Sequence, residues 1–226
     1  MWQTILGLLL AVLLALLLVR HFLRAEAARR AEPERLFREA MPVLDNASAK
    51  AGETAGTYLL TGTYRGHELR VTALADTLAV RKLPGLWLMI TLPGPLPISA
   101  TLDLMMRPAG PTSFSNFDLL PFTLEAPSGF PAHLVVRSDK PEPPLPFDLV
   151  ARHIGPLEDR RGKELLITPK GLRLVLLLAE ADRARYGVFR QADFGGATVN
   201  PQMLSQGIER LLDLRQDILT WHDQQS

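Results

Sequence analysis

The pattern of apolar and polar positions divides the chain into three parts. Residues 5–19 (ILGLLLAVLLALLLV) are all apolar, and with their flanking residues they extend to a helix of about 20 residues. A helix of that length matches the hydrocarbon core of a bilayer. The pattern predicts a transmembrane anchor over residues 1–24, a juxtamembrane helical stem and linker over residues 25–56, and a single α+β domain over residues 57–226.

The flanks of the apolar run predict an orientation. Six arginines follow the run within residues 20–38, whereas no lysine or arginine precedes it. Because positive flanks stay on the cytoplasmic side, we expect a signal-anchored, single-pass protein of the bacterial inner membrane, with its domain in the cytoplasm. Trp2, Arg20 and Arg24 are candidate membrane-interface residues, and the lipid bilayer is an expected partner.

Two alternatives to this orientation remain open. Residues 25–27 (AEA) match the small-residue pattern of a signal-peptidase site, so the apolar run also fits a cleaved signal peptide. Its missing basic n-region argues against that interpretation. A basic stem on a periplasmic protein is the second alternative, because the positive-inside rule has exceptions.

After residue 56 the sequence predicts strands first and helices nearer the end of the chain. Arg65 and Gly66 separate two runs rich in β-formers, which predicts a hairpin. Strands are expected over residues 85–93, 100–108, 133–139 and 163–168, and the first of these is apolar at consecutive positions, which indicates cover on both faces.

The last third predicts a different arrangement. Residues 169–185 fit a helix with an N-cap and proline start, although Gly171 and the leucine run leave a strand open. A further strand is expected over residues 186–194, and Asn200-Pro201 begins a terminal helix. The expected fold is therefore α+β: a transmembrane helix and helical stem, then a mostly antiparallel β-rich domain that closes with strand-helix-strand-helix.

Composition excludes some chemistry. The chain has no cysteine, so disulfides, thiolate metal sites and cysteine nucleophiles are impossible. Arginine outnumbers lysine 20 to 5, which suggests a GC-rich bacterial gene. Six of the arginines lie within residues 20–38, and the remainder of the chain is balanced in charge or slightly acidic, with no basic stripe on the domain. We therefore expect no nucleic-acid partner.

Candidate chemical residues are few. Arg215 projects into the apolar stripe of the terminal helix and His222 follows two turns later; together they are the candidate ligand or partner contacts. The acidic positions Glu209, Asp213 and Asp217 fit a solvated helix face. The five histidines lack metal-ligand spacing, and we expect no cofactor, metal or catalytic site.

The Gly62-x-Tyr64-x-Gly66 hairpin, the later VVRSD run and the predicted closing elements resemble a family of uncharacterised bacterial membrane-associated domains with one N-terminal span. The resemblance covers about residues 57–220. It implies an architecture and transfers no activity or site.

Three functions fit these observations. The first is a non-catalytic interaction or accessory domain at the inner membrane, with a protein partner. The second is a small-ligand or lipid-binding domain that uses Arg215 as its anion contact. The third is a hydrolase with a dispersed active site, which a cluster of Ser, His and Asp side chains in the structure would favour.

Overall fold

The computed structural model describes residues 2–54, 56–76, 83–189 and 192–225. For residues 3–6, 8–12, 22–30, 188 and 189 it describes the backbone alone. The helices are α1 (Trp2–Phe37), α2 (Phe147–Ala151), α3 (Gly155–Glu158), α4 (Arg183–Phe189) and α5 (Pro201–Asp223). The strands are β1 (Asp45–Ala51), β2 (Thr57–Tyr64), β3 (His67–Asp76), β4 (Gly85–Pro93), β5 (Leu102–Met106), β6 (Phe122–Leu124), β7 (Leu134–Ser138), β8 (Gly162–Thr168) and β9 (Gly171–Glu180).

The prediction of a transmembrane anchor is wrong. Within the described residues, no helix offers a stretch both long enough and apolar enough to cross a membrane. A span requires about 20 predominantly apolar residues, whereas the uninterrupted apolar run has fifteen and is followed at once by Arg20. Helix α1 does not end there but continues through the arginine-rich segment to Phe37.

Three expectations that rested on the span are corrected with it. They are the transmembrane part of the fold class, the single-pass signal-anchor assignment, and the inner-membrane location with a cytoplasmic domain. Each requires a membrane-spanning helix, and none of the described helices is long and apolar enough. The division into residues 1–24, 25–56 and 57–226 stays a prediction. Residues 45–51, which their composition favoured as linker, form the edge strand β1.

The described strands form one antiparallel sheet of nine strands, so the antiparallel part of the predicted fold is confirmed. Their order across the sheet is β1-β2-β3-β4-β9-β8-β5-β7-β6. Each of the first four strands pairs with its sequence neighbour, and β4 then pairs with β9. This pairing joins the two halves of the chain into one continuous sheet.

The hairpin predicted at Arg65 and Gly66 is confirmed between β2 and β3. Both residues have positive φ angles, 49° and 80°. A two-residue turn with positive φ at both positions matches the twist of the strands that it connects. Tyr64 and His67 face each other as the closing pair.

The helix favoured for residues 169–185 is wrong, and the open alternative of a strand is correct. Strand β9 follows β8 through a tight turn, in which Thr168 pairs with Gly171. The spacing of its leucines did not distinguish a strand from a helix, because β9 is covered on both faces. Leu172 and Leu174 contribute to the main core, whereas Val175 packs in a second cluster on the other face.

The predicted closing order of strand-helix-strand-helix is wrong for the same part of the chain. The region begins with the β8–β9 hairpin and continues with the short helix α4, so residues 186–189 are helical where a strand was expected. The terminal helix α5 is confirmed, and its N-cap Asn200 accepts hydrogen bonds from the backbone N–H groups of Gln202 and Met203.

The main core lies between one face of the sheet and the helices. Helix α5 packs against β4 and β9, α3 packs against β8, and the end of α1 packs against β1 and β2. Fully buried side chains from these elements include Phe37, Leu88, Ile90, Leu157 and Ile208. Burial of a side chain of this size contributes about 1.5–3 kcal/mol relative to its exposure.

The opposite face of the sheet carries a smaller cluster under a loop. Residues 107–121, which we call the lid, cross this face between β5 and β6, and their Phe114 and Phe117 are buried. These rings pack with Met105 and Val175 of the sheet, and Trp87 lies 5.2 Å from Phe114 between ring centroids. The cover predicted for both faces of β4 is therefore confirmed.

Gly171 provides a test of the packing between β9 and β4. Its φ angle is +141°, and a Cβ atom there would lie 2.4 Å from Leu92 O. We expect Gly171→Ala to lower the free energy of unfolding by roughly 2–4 kcal/mol, because an unfavourable φ angle adds to a backbone clash. Urea denaturation measures this difference.

Gly187→Ala is the matched control. Gly187 lies in α4 with no atom within 4 Å of the position that a Cβ would take. Alanine there raises stability by up to about 1 kcal/mol, because it favours helix over glycine. Equal unfolding midpoints for the two variants would contradict the close contact between β9 and β4.

Candidate functional site

Arg215 and His222, the candidate contacts from the sequence, lie on the second half of α5. Arg215 is half-buried, and its Nη1 donates a hydrogen bond to Pro95 O at 3.2 Å. The guanidinium also lies against Gly94, where a Cβ would come within 3.3 Å of Nη1. His222 is exposed in the last turn. Arg215 thus has a backbone partner, and the ligand role of both residues stays a prediction.

The three candidate membrane-interface residues all lie in α1. Trp2 is 78% exposed and Arg20 is exposed. The side chain of Arg24 lies outside the described residues. No contact described in the structure tests the role predicted for them.

The acidic positions of α5 differ from one another. Asp213 is exposed, as expected for a solvated face. Glu209 instead accepts hydrogen bonds from Tyr64 Oη at 2.5 Å and from Arg65 Nη1 at 2.9 Å. The Glu209 hydrogen bond raises the pKa of Tyr64. Glu209 therefore connects α5 to the β2–β3 turn.

Asp217 connects α5 to the turn that follows α2. Its Oδ2 lies 2.9 Å from His153 Nε2 and 3.3 Å from Arg152 Nη1. His153 is only 7% exposed, and its Nδ1 has no hydrogen-bond partner among the described residues. Asp217 is thus the partner that the buried imidazole depends on.

A groove opens between α1, the sheet and residues 192–197. Its volume is about 640 Å³, and its lining combines the apolar Leu86 and Phe194 with the charged Glu32 and Arg35. Burial, followed by the hydrogen bond to Glu32, raises the pKa of Tyr58 to about 12. The lining of the groove therefore combines apolar and charged side chains.

Residues 193–195 (DFG) form a turn beside this groove. Asp193 Oδ1 accepts the Gly195 N–H at 2.9 Å, and its Oδ2 forms an ion pair with Arg185 Nη1. The hydrogen bond from the Gly195 backbone lowers the pKa of Asp193. These contacts give the tripeptide a structural role in ordering the loop.

The least expected polar cluster is a pair of buried carboxyl groups under the lid, Asp103 of β5 and Glu164 of β8. Asp103 is 2% exposed and Glu164 is fully buried. Asp103 faces Leu166 across the β5–β8 ladder, and Glu164 faces Met105, so the two acids are diagonal neighbours on one face. That face is the one covered by Phe114 and Phe117 of the lid.

Burial shifts the titration of both carboxyl groups upward. Desolvation, reinforced by the charge of Glu164, raises the pKa of Asp103 to about 9. Desolvation also raises the pKa of Glu164, although the hydrogen bond from Ser115 and the charge of Arg173 oppose it. Because burial penalises a carboxylate more than a neutral carboxyl, the two groups keep their protons to higher pH than exposed acids do.

Three basic side chains surround the pair and bind backbone carbonyls around it. Arg173 Nη1 donates to Phe114 O at 3.2 Å, and Arg137 Nη1 donates to Phe117 O at 3.3 Å. Lys163 Nζ donates to the carbonyl oxygens of Met106 and Arg107, at 2.7 and 2.9 Å. The cations therefore connect the sheet to the lid.

This cluster brings a serine and two acids together, but no described contact adds the histidine that the hydrolase alternative would require. Ser115 Oγ donates a hydrogen bond to Glu164 Oε1 and accepts one from the Phe117 N–H. His153, the buried histidine, contacts α5 on the other face of the sheet. The arrangement places two carboxyl groups with raised pKa values in a site closed to solvent.

The sequence analysis missed this pair, although a signal was present. Asp103 and Met105 alternate with Leu102, Leu104 and Met106 along β5, so they share the other face. A methionine on that face, together with Trp87 on β4, indicates that it is covered. An acid between covered apolar positions must then be buried.

Asp217→Ala tests the contact between α5 and His153. Removal of the carboxylate leaves a buried imidazole nitrogen without its partner, so we expect the free energy of unfolding to fall by about 1–3 kcal/mol. Asp213→Ala on the same helix is the control, with an expected change within about 0.5 kcal/mol. Equal losses in thermal or urea unfolding would contradict the contact.

Comparison with known proteins adds little. No protein-family model matches the chain, and no curated protein matches it in sequence. One solved structure is similar, the mycobacterial trehalose monomycolate transport factor A, TtfA, at 12% sequence identity and a TM-score of 0.43. The match covers 84% of this chain and 96% of that one. At this level of similarity it carries no argument about function.

Proposed function

We propose that the protein is a non-catalytic interaction domain that binds a partner protein through the first half of α1. The observation that carries the proposal is the exposure of large apolar side chains there. Within residues 13–19, six side chains are each between 53% and 67% exposed: Leu13, Leu14, Leu16, Leu17, Leu18 and Val19. Exposed apolar surface of this extent marks an interaction site in folded proteins.

The distribution of these residues around α1 favours a helical partner. With 3.6 residues per turn, positions 13–19 point in all directions around the helix axis. A helix that is apolar all round is covered all round. Partner helices that pack against it supply such cover through their own side-chain ridges.

The C-terminal end of α1 is buried in the main core, which supports a role for this helix in recognition. Leu36 and Phe37, its last residues, are 5% and 0% exposed in the main core. The backbone N–H of Val199 donates to Leu36 O at 2.9 Å. A partner bound to the first half of α1 is therefore attached through a continuous helix to the folded sheet.

Site-specific photocrosslinking in cells tests the partner. A benzophenone amino acid at position 16 or 18 is expected to give the same discrete protein adduct, whose mass and peptides identify the partner. Benzophenone at position 119 is the matched control, because Leu119 is 78% exposed but lies in the lid. Equal adducts at all three positions, or adducts that contain no protein, would contradict the proposal.

Leu14→Ser/Leu17→Ser tests the affinity for that partner. Each exposed leucine contributes about 1.5 kcal/mol when it is buried at an interface, so the double variant is expected to weaken binding about 100-fold. Titration with the purified partner measures the change. An unchanged Kd, with Leu119→Ser as the control, would place the interface elsewhere.

We propose, as a second candidate function, that the groove beside α1 binds a small amphiphile with an anionic group. The apolar lining residues Phe194 and Leu86 suit an alkyl chain, and Arg35 and Arg185 are cations in the same lining. A cavity of about 640 Å³ lies within the range typical of small-ligand sites.

Decanoate is a suitable probe for this groove. Isothermal titration is expected to show saturable binding that Phe194→Ala weakens about tenfold, because the lost apolar contact is worth about 1.5 kcal/mol. Phe122→Ala, at a half-exposed ring on β6, serves as the control. Binding that does not saturate, or that both variants weaken equally, excludes the groove as the site.

A further inference from the structure

We propose that the lid, residues 107–121, opens and closes over the Asp103–Glu164 pair, and that closure requires proton uptake by the pair. The lid is a candidate for movement because of how it is attached. Apart from the Arg107 N–H to His133 O bond at its first residue, the described hydrogen bonds from the lid to the sheet involve side chains. It contributes no strand to the ladder before β6.

The closed lid leaves the two acids with incomplete hydrogen bonding. Asp103 Oδ1 and Glu164 Oε2 have no hydrogen-bond partner among the described residues. An ionised carboxylate in that position loses its hydration without replacement, whereas a protonated carboxyl loses much less. A closed lid is therefore compatible with a pair that holds at least one proton, and not with two ionised carboxylates.

The surrounding charges oppose the effect of burial only in part. Arg173 of β9 acts to lower the pKa of both acids, and Lys163 of β8 that of Glu164, but desolvation is the larger effect for each acid. Arg137 of β7 lies opposite Asp103, and Arg70 of β3 is exposed on the same face. Two further acids are nearby: Asp118 Oδ1 of the lid lies 3.9 Å from Arg137 Nη1, and Asp76 of β3 accepts a hydrogen bond from Ser113 Oγ. Burial therefore still favours the protonated form of the pair.

The direction of the pH dependence follows from these contacts. An open lid exposes both carboxyl groups to water, where they titrate near pH 4. The pKa of each is raised while the lid is closed, to about 9 for Asp103. The closed state binds more protons, so closure is strongest below about pH 4 and weakens as the pH rises towards 9.

Opening has a structural consequence beyond the acids. The lid covers the sheet side chains Met105 and Val175, and its Phe114 packs against Trp87. When the lid opens, these apolar groups become accessible together with the carboxylates. At higher pH the protein therefore exposes a second apolar surface, together with the two ionised carboxylates.

Hydrogen-deuterium exchange of the full chain tests this coupling. After correction for the intrinsic pH dependence of exchange, the protection of peptides within residues 107–121 is expected to fall at least tenfold between pH 5 and pH 8. Coupling to one proton changes the opening equilibrium by up to tenfold per pH unit. Peptides from α5 should keep their protection and serve as the internal reference.

Amide variants identify the acids responsible. In Asp103→Asn/Glu164→Gln the lid is expected to show the same protection at pH 5 and pH 8, because neither side chain can ionise. Glu209→Gln, a carboxyl outside the pair, is the matched control and should retain the wild-type pH dependence. A wild-type lid with constant protection, or a double variant that behaves like wild type, overturns the proposal.

A second measurement remains decisive if the double variant does not fold. Trp87 contacts the lid ring Phe114, so acrylamide quenching of its fluorescence reports the cover over this face. In a Trp2→Phe/Trp221→Phe background, Trp87 is then the only tryptophan in the chain. Quenching that rises between pH 5 and pH 8 supports opening, and quenching that stays constant overturns it.

Discussion

The pairing of β4 with β9 is the interaction on which the rest of the structure depends. It joins the meander β1–β4 to the strands β8, β5, β7 and β6, so the sheet is continuous only if this ladder forms. The two strands are distant in sequence, and their ladder runs from Gly85 opposite Glu180 to Pro93 opposite Gly171. Closing so long a loop costs entropy, which the burial of leucines on both strands offsets.

The β4–β9 ladder is covered on both faces, and different elements supply the cover on each face. The helices cover one face with a large apolar core, and tight contacts such as Gly207 against Ile90 show how close α5 lies. The short lid covers the other face, where polar side chains supply many of its contacts. The face under the lid therefore has the smaller apolar cluster, and it is also the face on which the acids Asp103 and Glu164 are buried.

The sequence correctly predicts those features that depend on residues close together in the chain. The turn at Arg65-Gly66 and the cap at Asn200 depend on residues next to one another, and both are confirmed. Periodicity failed for β9, because cover on both faces removes the alternation that distinguishes a strand from a buried helix. The buried acids were missed because their burial depends on the lid, a proline-containing loop, and the alternation along β5 indicates cover on that face without identifying the loop that supplies it.

The length of α1 has a geometric consequence. Its 36 residues, at a rise of 1.5 Å each, measure about 54 Å from end to end. Phe37 is embedded in the core, so rotation of the sheet by a few degrees moves the first turn by several ångströms. If the first turns bind a partner, as we propose, the length of α1 sets the distance between that partner and the sheet.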